Sequence, residues 1–401
     1  MTSINKGLFK NTQRKWSSEE IELLKKLYPI KTSKEIAQML NRTRDSVKAK
    51  IKRLQTLDRQ IKTHPAVSNS NQLIAPINYS IIPELDVNLR DELIKKIQQN
   101  IFQKNVYKSK HHRKNESEVA VLVLSDIHFG SVNKVYSPKT QKEEITYNNV
   151  IRQQELCLLR NSIFQIYDLL SKSYNFSELY VFLLGDIITN DRIFKGQIWE
   201  IETPYGIQIW DAVRDLSYLF NELKTHFRKI NVVSITGNHG RSLPDVYEEP
   251  IENNFEYQLY KILEVVFKND PQVNMIIPKT RFYSVNILGH SYFLHHGDAM
   301  RGTTLNYLVK SAKDLLTSVL VDLPRGYDLY VIGHFHKAHL LDLNESSTLM
   351  INGSFIRRDN YSFKIYKQYT KPVQWFFGIN KKRSITWHFK LDFDSRTKIK
   401  I

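Results

Sequence analysis

Cysteine is nearly absent: among 401 residues there is only Cys157. A single thiol excludes an internal disulfide and a cysteine-based metal cage. Long apolar runs are missing too. None approaches the roughly 18 residues that a membrane-crossing helix needs. The opening stretch, MTSINKGLFKNTQRKW, carries no apolar signal core. A cytoplasmic protein with no membrane partner is the economical expectation. No internal repeat of solenoid period is found. With 41% hydrophobic residues the chain can still bury a sizeable core, and its length allows two or three domains.

Charge is abundant and unevenly placed. The net charge is +17, and residues 1–115 hold 24 Lys/Arg against 10 Asp/Glu, which accounts for +14 of it. A concentrated cationic segment points to a polyanionic partner, nucleic acid first and an anionic membrane surface second.

Residues 15–54 predict three short helices. WSSEEIELLKKLY has a capping-box pattern, Ser17 followed by Glu20, with Ile21, Leu24 and Leu27 at helical spacing. TSKEIAQML repeats the start signal with Thr32 and Glu35. TRDSVKAKIKRL sets Val47, Ile51 and Leu54 on one stripe, with Arg44, Lys48, Lys50, Lys52 and Arg53 on its other faces. A helix apolar inside and cationic outside fits a DNA major groove. The stretch from Lys15 to Leu54, with Trp16 at the usual aromatic position, resembles a Myb/SANT-type helix-turn-helix module. That resemblance implies DNA as partner, and a protein-binding helical module is the alternative.

Residues 63–83 are rich in Pro, Ser and Asn and are expected to be a linker. Residues 84–110 predict a further helix. The expected domains are therefore 1–62, a 63–115 linker with a helix, and 116–401. His111 and His112 fall in a polar, exposed stretch.

From residue 119 the pattern changes. Apolar runs of buried-strand type (VAVLVLSD, LYVFLLGD, INVVSITGNH, SYFLHHGD and YDLYVIGHFH) alternate with helical candidates near 148–172, 205–228, 252–268 and 303–319. Alternation of this kind predicts an α/β architecture. HLLDLNESSTLMINGSF and SITWHFKLDF predict hairpins that extend a sheet.

All five runs end in Asp, Asn or His close to a small residue. Ligands of open α/β sheets bind outside the carboxyl ends of the strands. Five such ends could deliver Asp126, His128, Asp186, Asn238, His296, His334 and His336 to one cleft. Seven oxygen and nitrogen donors are too many for one four-coordinate zinc and suit two divalent ions bridged by a carboxylate. Imidazole and carboxylate without thiolate tolerate manganese, iron or zinc.

In this order the motifs resemble those of the calcineurin-like metallophosphoesterases. They are Asp126-Ile127-His128, Gly185-Asp186, Gly237-Asn238-His239, His296-Gly297 and Gly333-His334-Phe335-His336. The resemblance spans about residues 119–355. It implies a four-layer α/β/β/α sandwich with two central sheets, here preceded by a small all-α three-helix domain. It also implies two divalent ions, manganese first, with iron, zinc or magnesium as alternatives. Asp126, His128 and His336 would hold one ion, Asn238, His296 and His334 the other, and Asp186 would bridge. His239 follows a ligand and is placed to meet phosphate or to protonate a leaving oxygen. Gly240 departs from the pattern, because much of the family has an acid there that orients the histidine; another group must do so here. Arg241 could contact a substrate phosphate or be a surface arginine. His296, directly before Gly297, is preferred over His295. His339 is expected to be structural or to support a ligand. Arg357 and Arg358 either line a substrate groove or face solvent.

The fold alone does not settle the substrate. The joined cationic module favours a nuclease similar in its catalytic domain to the DNA-repair exonucleases of this superfamily, with a phage-like layout. Exonuclease and endonuclease stay open, and a second copy or a repair or replication protein could be a further partner. The alternatives are a phosphatase or small-nucleotide phosphodiesterase, and a non-catalytic replication accessory subunit. The complete donor set speaks against the last.

Overall fold

The computed structural model describes residues 16–17, 20–21, 23–24, 33–51, 117–244, 249–300, 304–319 and 326–393. The expected linker, its helix, His111, His112, Lys52 and Arg53 lie outside these residues, as does the expected boundary at residue 62. The chain divides into two compact units, Met1–Ile82 and Pro83–Ile401.

The larger unit is built on two sheets. Its first strand, β1 (Ser117–Leu124), is a nearly unbroken apolar run and is buried on both faces, as a central parallel strand should be. A ribbon, β2 (Asn133–Ser137) and β3 (Lys142–Tyr147), follows it, then α1 (Asn149–Leu170), capped by the Asn148 side chain on the Ile151 amide at 3.0 Å. Next come β4 (Asn175–Leu184), α2 (Tyr205–Leu223), β5 (Lys229–Ile235), α3 (Phe255–Phe267) and β6 (Val273–Ile276). These strands run parallel in the order β1-β4-β5-β6. The hairpin β12 (Val373–Asn380) and β13 (Arg383–Asp392) continues the same sheet antiparallel beyond β1.

The second sheet has the order β10-β11-β9-β8-β7. Its strands are β7 (Phe282–Ile287), β8 (His290–His295), β9 (Leu329–Ile332), β10 (His339–Asp342) and β11 (Thr348–Ile351). Helix α4 (Leu305–Val319) precedes β9, and α5 (Asn360–Tyr366) follows β11. Three apolar clusters define the layers. Leu122, Leu124 and Val181 pack outward against Leu159, Leu216 and Leu263 of α1, α2 and α3. Val121, Val123 and Phe182 pack inward against Tyr292, Leu294 and Val331 of the second sheet. Phe293, Tyr330 and Ile332 on that sheet's far face pack against Leu308 and Ala312 of α4. The result is the expected α/β/β/α sandwich, and the two C-terminal segments extend sheets as expected.

The smaller unit is helical at 20–21 and 23–24, at Ser33–Met39 and at 44–51. Leu24, Ile36, Val47 and Ile51 form its small core, with Trp16 packed on it. The expected capping box is present, with Glu20 accepting from the Ser17 amide at 3.0 Å and Ser17 Oγ from the Glu20 amide at 3.2 Å. Arg42 stacks over Trp16 at 4.1 Å and pairs with Glu20 at 2.9 Å. Arg44 and Lys48 are exposed, while Lys50 is half-buried with its ammonium 5.9 Å from the Trp16 ring centre. Among the described residues, no helix is long and apolar enough to cross a membrane.

Candidate metal centre

The five apolar runs do not lie in one sheet. β1, β4 and β5 belong to the first, and β8 and β9 to the second. Their carboxyl ends meet at one edge of the sandwich, in a cleft of about 580 Å³. Backbone bonds continue past the strand ends and hold the loops together. The Asp126 amide donates to the Gly185 carbonyl at 3.0 Å, His128 to Asp186 at 3.0 Å, and Gly333 to His296 at 2.8 Å.

Asp126, His128, Asp186, His334 and His336 all have φ between 50° and 69°. Non-glycine residues in this left-handed region cost on the order of 1 kcal/mol or more each and persist only where the surroundings hold them. Here the tight turns aim successive donors inward. Gly237 permits the closest of these approaches: a β-carbon there would lie 2.2 Å from Asp186 Oδ1. The Asp186 Oδ1 atom accepts instead from the His239 amide at 2.9 Å. Asp126 accepts from the His334 amide at 3.1 Å, so the second sheet positions the carboxylate of the first.

Three donor groups result, each with ligand atoms within 4.8 Å of one another: Asp126, His128 and His336; Asp186, His296 and His334; and His128, Asp186 and His239. Asn238 joins the second, with Oδ1 3.0 Å from His296 Nε2. All seven side chains expected to be ligands therefore converge on one place.

The arrangement fits divalent cations because acceptors face one another. His296 Nδ1 lies 2.6 Å from the Leu184 carbonyl and must donate to it. Its Nε2 lone pair then points at Asn238 Oδ1 and at Asp186 Oδ2, 3.1 Å away. His336 Nδ1 donates to Asp359 at 2.6 Å, which aims its Nε2 at Asp126 Oδ1, 3.3 Å away, and at His128 Nε2, 3.2 Å away. A shared cation satisfies such clusters, and a carboxylate or carbonyl behind the imidazole is the usual support of a metal-binding histidine.

The electrostatics agree. Burial drives His128 down to about 3 and His334 to about 4. Burial also opposes charge on His296 and His336, but Asp186 beside the first and Asp359 with Asp126 beside the second outweigh it. Both are held well above the ordinary imidazole value. Asp126 and Asp186 are buried, which raises them, yet these histidines keep both below the usual carboxylate value. The centre attracts positive charge at two points.

His239 belongs to the third of these groups but is not one of the seven expected ligands. Its Nδ1 lies 2.7 Å from the Thr189 carbonyl, so Nδ1–H donates and Nε2 faces the cleft, 3.9 Å from Asp186 Oδ2. The Thr189 carbonyl thus does the orienting expected of an acid at position 240. That position has no room for one: a β-carbon at Gly240 would meet Asn254 Oδ1 at 2.2 Å and Glu256 Cγ at 2.8 Å. Glu256 is fully buried and accepts amide N–H bonds from Ile187 at 2.5 Å, Ile188 at 3.2 Å and Gly237 at 2.6 Å. It ties the Asp186 turn to the Asn238 turn. Burial, then the nearby Asp186 charge, raises its carboxyl to about 8 against the pull of the amide donors.

The remaining expectations fall as follows. Arg241 is a buried residue, not a surface one; it lines the cleft and pairs with Asp298 at 2.9 Å. His295 turns away, its Nδ1 accepting from the Gly297 amide at 2.8 Å. His339 begins β10, just past the donor His336 in the chain, and is half-buried. Arg357 neither faces solvent nor lines the cleft: it is buried, with a guanidinium nitrogen 3.5 Å from Glu155. Arg358 stacks over Tyr369 at 5.2 Å. Sequence reasoning missed Asp359, Tyr361 and Glu256. Tyr361 places its hydroxyl 3.3 Å from His334 Nε2, which leaves Nδ1 as that ring's donor for the centre. The one available signal was at Asp359, which caps α5 on the Tyr361 and Ser362 amides; DNYS is a legible helix start.

No family model matches the chain, and no curated protein matches it. Among solved structures it is similar to Vps29 complexed with Zn2+ from Entamoeba histolytica, with 11% identity over 68% of this chain and 99% of that one, TM-score 0.28. It is similar to a predicted phosphoesterase from Streptococcus pneumoniae TIGR4, with 10% identity over 68% and 98%, TM-score 0.27. A 5'-nucleotidase from Candida albicans SC5314 shows 10% identity over 68% and 53%, TM-score 0.30. At such scores what the site can do rests on its own side chains.

Proposed function

We propose that the protein is a metal-dependent phosphodiesterase acting on DNA, a nuclease with a dinuclear centre. The observation that carries this is the convergence of seven donors from five strand ends, with His239 beside them and not backed by an acid. Asp126, His128 and His336 would hold one divalent ion, Asn238, His296 and His334 (through Nδ1) the other, and Asp186 would serve both. Manganese is the first candidate for these ions. Bound there, the ions would supply the positive charge that acidifies a water and offsets charge on a phosphoryl group.

The chain's own groups do the rest. Asp186 and Asp126, fixed by backbone amides, anchor the charge balance of the centre. His239 Nε2, with its proton on Nδ1 fixed by the Thr189 carbonyl, is placed to take up a proton and pass it to the leaving oxygen. Arg241, tied to Asp298, lends positive charge to the cleft wall.

The cationic helical unit supports DNA as the substrate. Arg44 and Lys48, exposed on the helix at 44–51, would meet phosphates, raising the local concentration of phosphodiesters near the centre. The deciding experiment is digestion of single- and double-stranded DNA with manganese, magnesium or chelator, over a range of salt. Cleavage with metal and none with chelator supports the reading. Hydrolysis confined to small phosphate esters sinks the nuclease and leaves a phosphatase.

A further inference from the structure

The wall of the cleft beside His239 is aromatic and open. Phe194 lines the cleft, packs on His239 with ring centres 4.9 Å apart, and remains 46% exposed. An aromatic ring that needed only shelter would turn inward, as Ile193 next to it does. Phe194 is instead held outward. The turn before the 3-10 helix Gln197–Glu200 is pinned from behind: Gln197 Oε1 accepts from the Ile193 amide at 2.7 Å and from the Phe194 amide at 3.2 Å. Gln197 Nε2 donates to the Thr189 carbonyl at 2.6 Å, the same carbonyl that orients His239. One buried glutamine therefore fixes both the proton-handling imidazole and the ring beside it.

Cations line the same cleft. Lys195, the next residue, and Lys364 of α5 both line the cleft and are exposed. Among the described residues neither forms an ion pair. An open aromatic face and lysines lining one cleft match a nucleotide, whose base has a π-face and whose backbone is anionic.

We infer that Phe194 is a base-stacking seat. The base of the nucleoside that stays on the scissile phosphate lies on this ring, beside His239. Paired bases keep their faces covered by neighbours, so the seat selects an unpaired or unstacked nucleotide. Single-stranded or frayed DNA is then the preferred form of the substrate. This rests on the phosphodiesterase reading of the cleft.

The test compares two esters with the same leaving group, thymidine 5'-(p-nitrophenyl phosphate) and methyl p-nitrophenyl phosphate. They differ only in the nucleoside. The full-length, metal-loaded protein should show a higher kcat/KM on the first. Phe194→Ala should shrink that ratio by about ten- to a hundredfold, the worth of one base on an aromatic ring. Phe194→Trp should keep it. Titration calorimetry with thymidine 5'-monophosphate against inorganic phosphate reads the same seat without turnover, and Phe194→Ala should remove the nucleotide's advantage. Turnover with equal ratios in wild type and Phe194→Ala overturns the seat and leaves the hydrolase. Nucleotide-selective binding without turnover supports the seat and overturns the hydrolase. A Phe194→Ala protein that changes its oligomeric state, with the ratio intact, would mean that the ring is a protein contact and overturns the seat.

Discussion

The two sheets bring different chemistry to one cleft. The first supplies Asp126, His128, Asp186 and Asn238, and the second supplies His296, His334 and His336, imidazoles only. Their supports differ in kind as well. The carboxylates are held by backbone amides, from His239 and His334, whereas the imidazoles are held by oxygens of Leu184, Asp359 and Tyr361. Each side thus presents its lone pairs inward and its donors outward, and the bonds that cross between the sheets at the site include His334 to Asp126 and His296 to Leu184. Half a site is anionic and the other half basic, and only their union makes a cation-binding place.

Removing the carboxylate common to both ions breaks this most deeply. Asp186→Ala should abolish metal binding at one position and lower turnover by about a thousandfold or more, checked by elemental analysis beside a phosphodiester assay. His239→Ala should leave the metal content intact and cost about 10²–10⁴ in turnover on an alkoxide leaving group, with little loss on p-nitrophenolate. Comparable loss on both esters would show that the ring does something other than protonate.

The imidazole side is sharpened at Asp359. Asp359→Asn takes away the acceptor behind His336, and metal affinity should weaken about 10–100-fold in a chelator competition. On the first-sheet side, Glu256→Gln sets an amide donor against a backbone donor. It should cost about 1–3 kcal/mol in urea unfolding without changing which ester is preferred.

The smallest effect concerns pH. In metal-free protein His296 and His336 titrate above their unfolded value, so their contribution is complete below about 6.5 and is lost as pH rises toward their folded-state range. Glu256, raised to about 8, acts in the same direction, since it sheds its proton earlier when unfolded. Chelator-treated protein should therefore lose melting temperature between pH 6.5 and 10, and the metal-loaded form should lose less.

Much of this was legible in the residues. Strand ends marked by Asp, Asn and His after apolar runs gave all seven donors, because buried parallel strands leave little else polar. The capping pattern at Ser17 and Glu20 was equally direct. What stayed hidden was long-range. Glu256 sits on a helix, 70 positions from Asp186 in chain order, and nothing near it says that its carboxylate gathers three amides. Arg357 was open between a substrate groove and solvent, the two usual places for a charged residue in a turn; only the fold buries it against Glu155. The ribbon of β2 and β3 and the short β6 and β7 carry weak alternation, and their neighbours, not their composition, make them strands.

The seam between the sheets has a consequence for how the chain assembles. A folding species in which only one sheet is formed has half the donors and scant affinity for a cation. Were a metal bound here, its uptake would report the moment at which the halves dock, and the ion would act as a clasp that slows their parting.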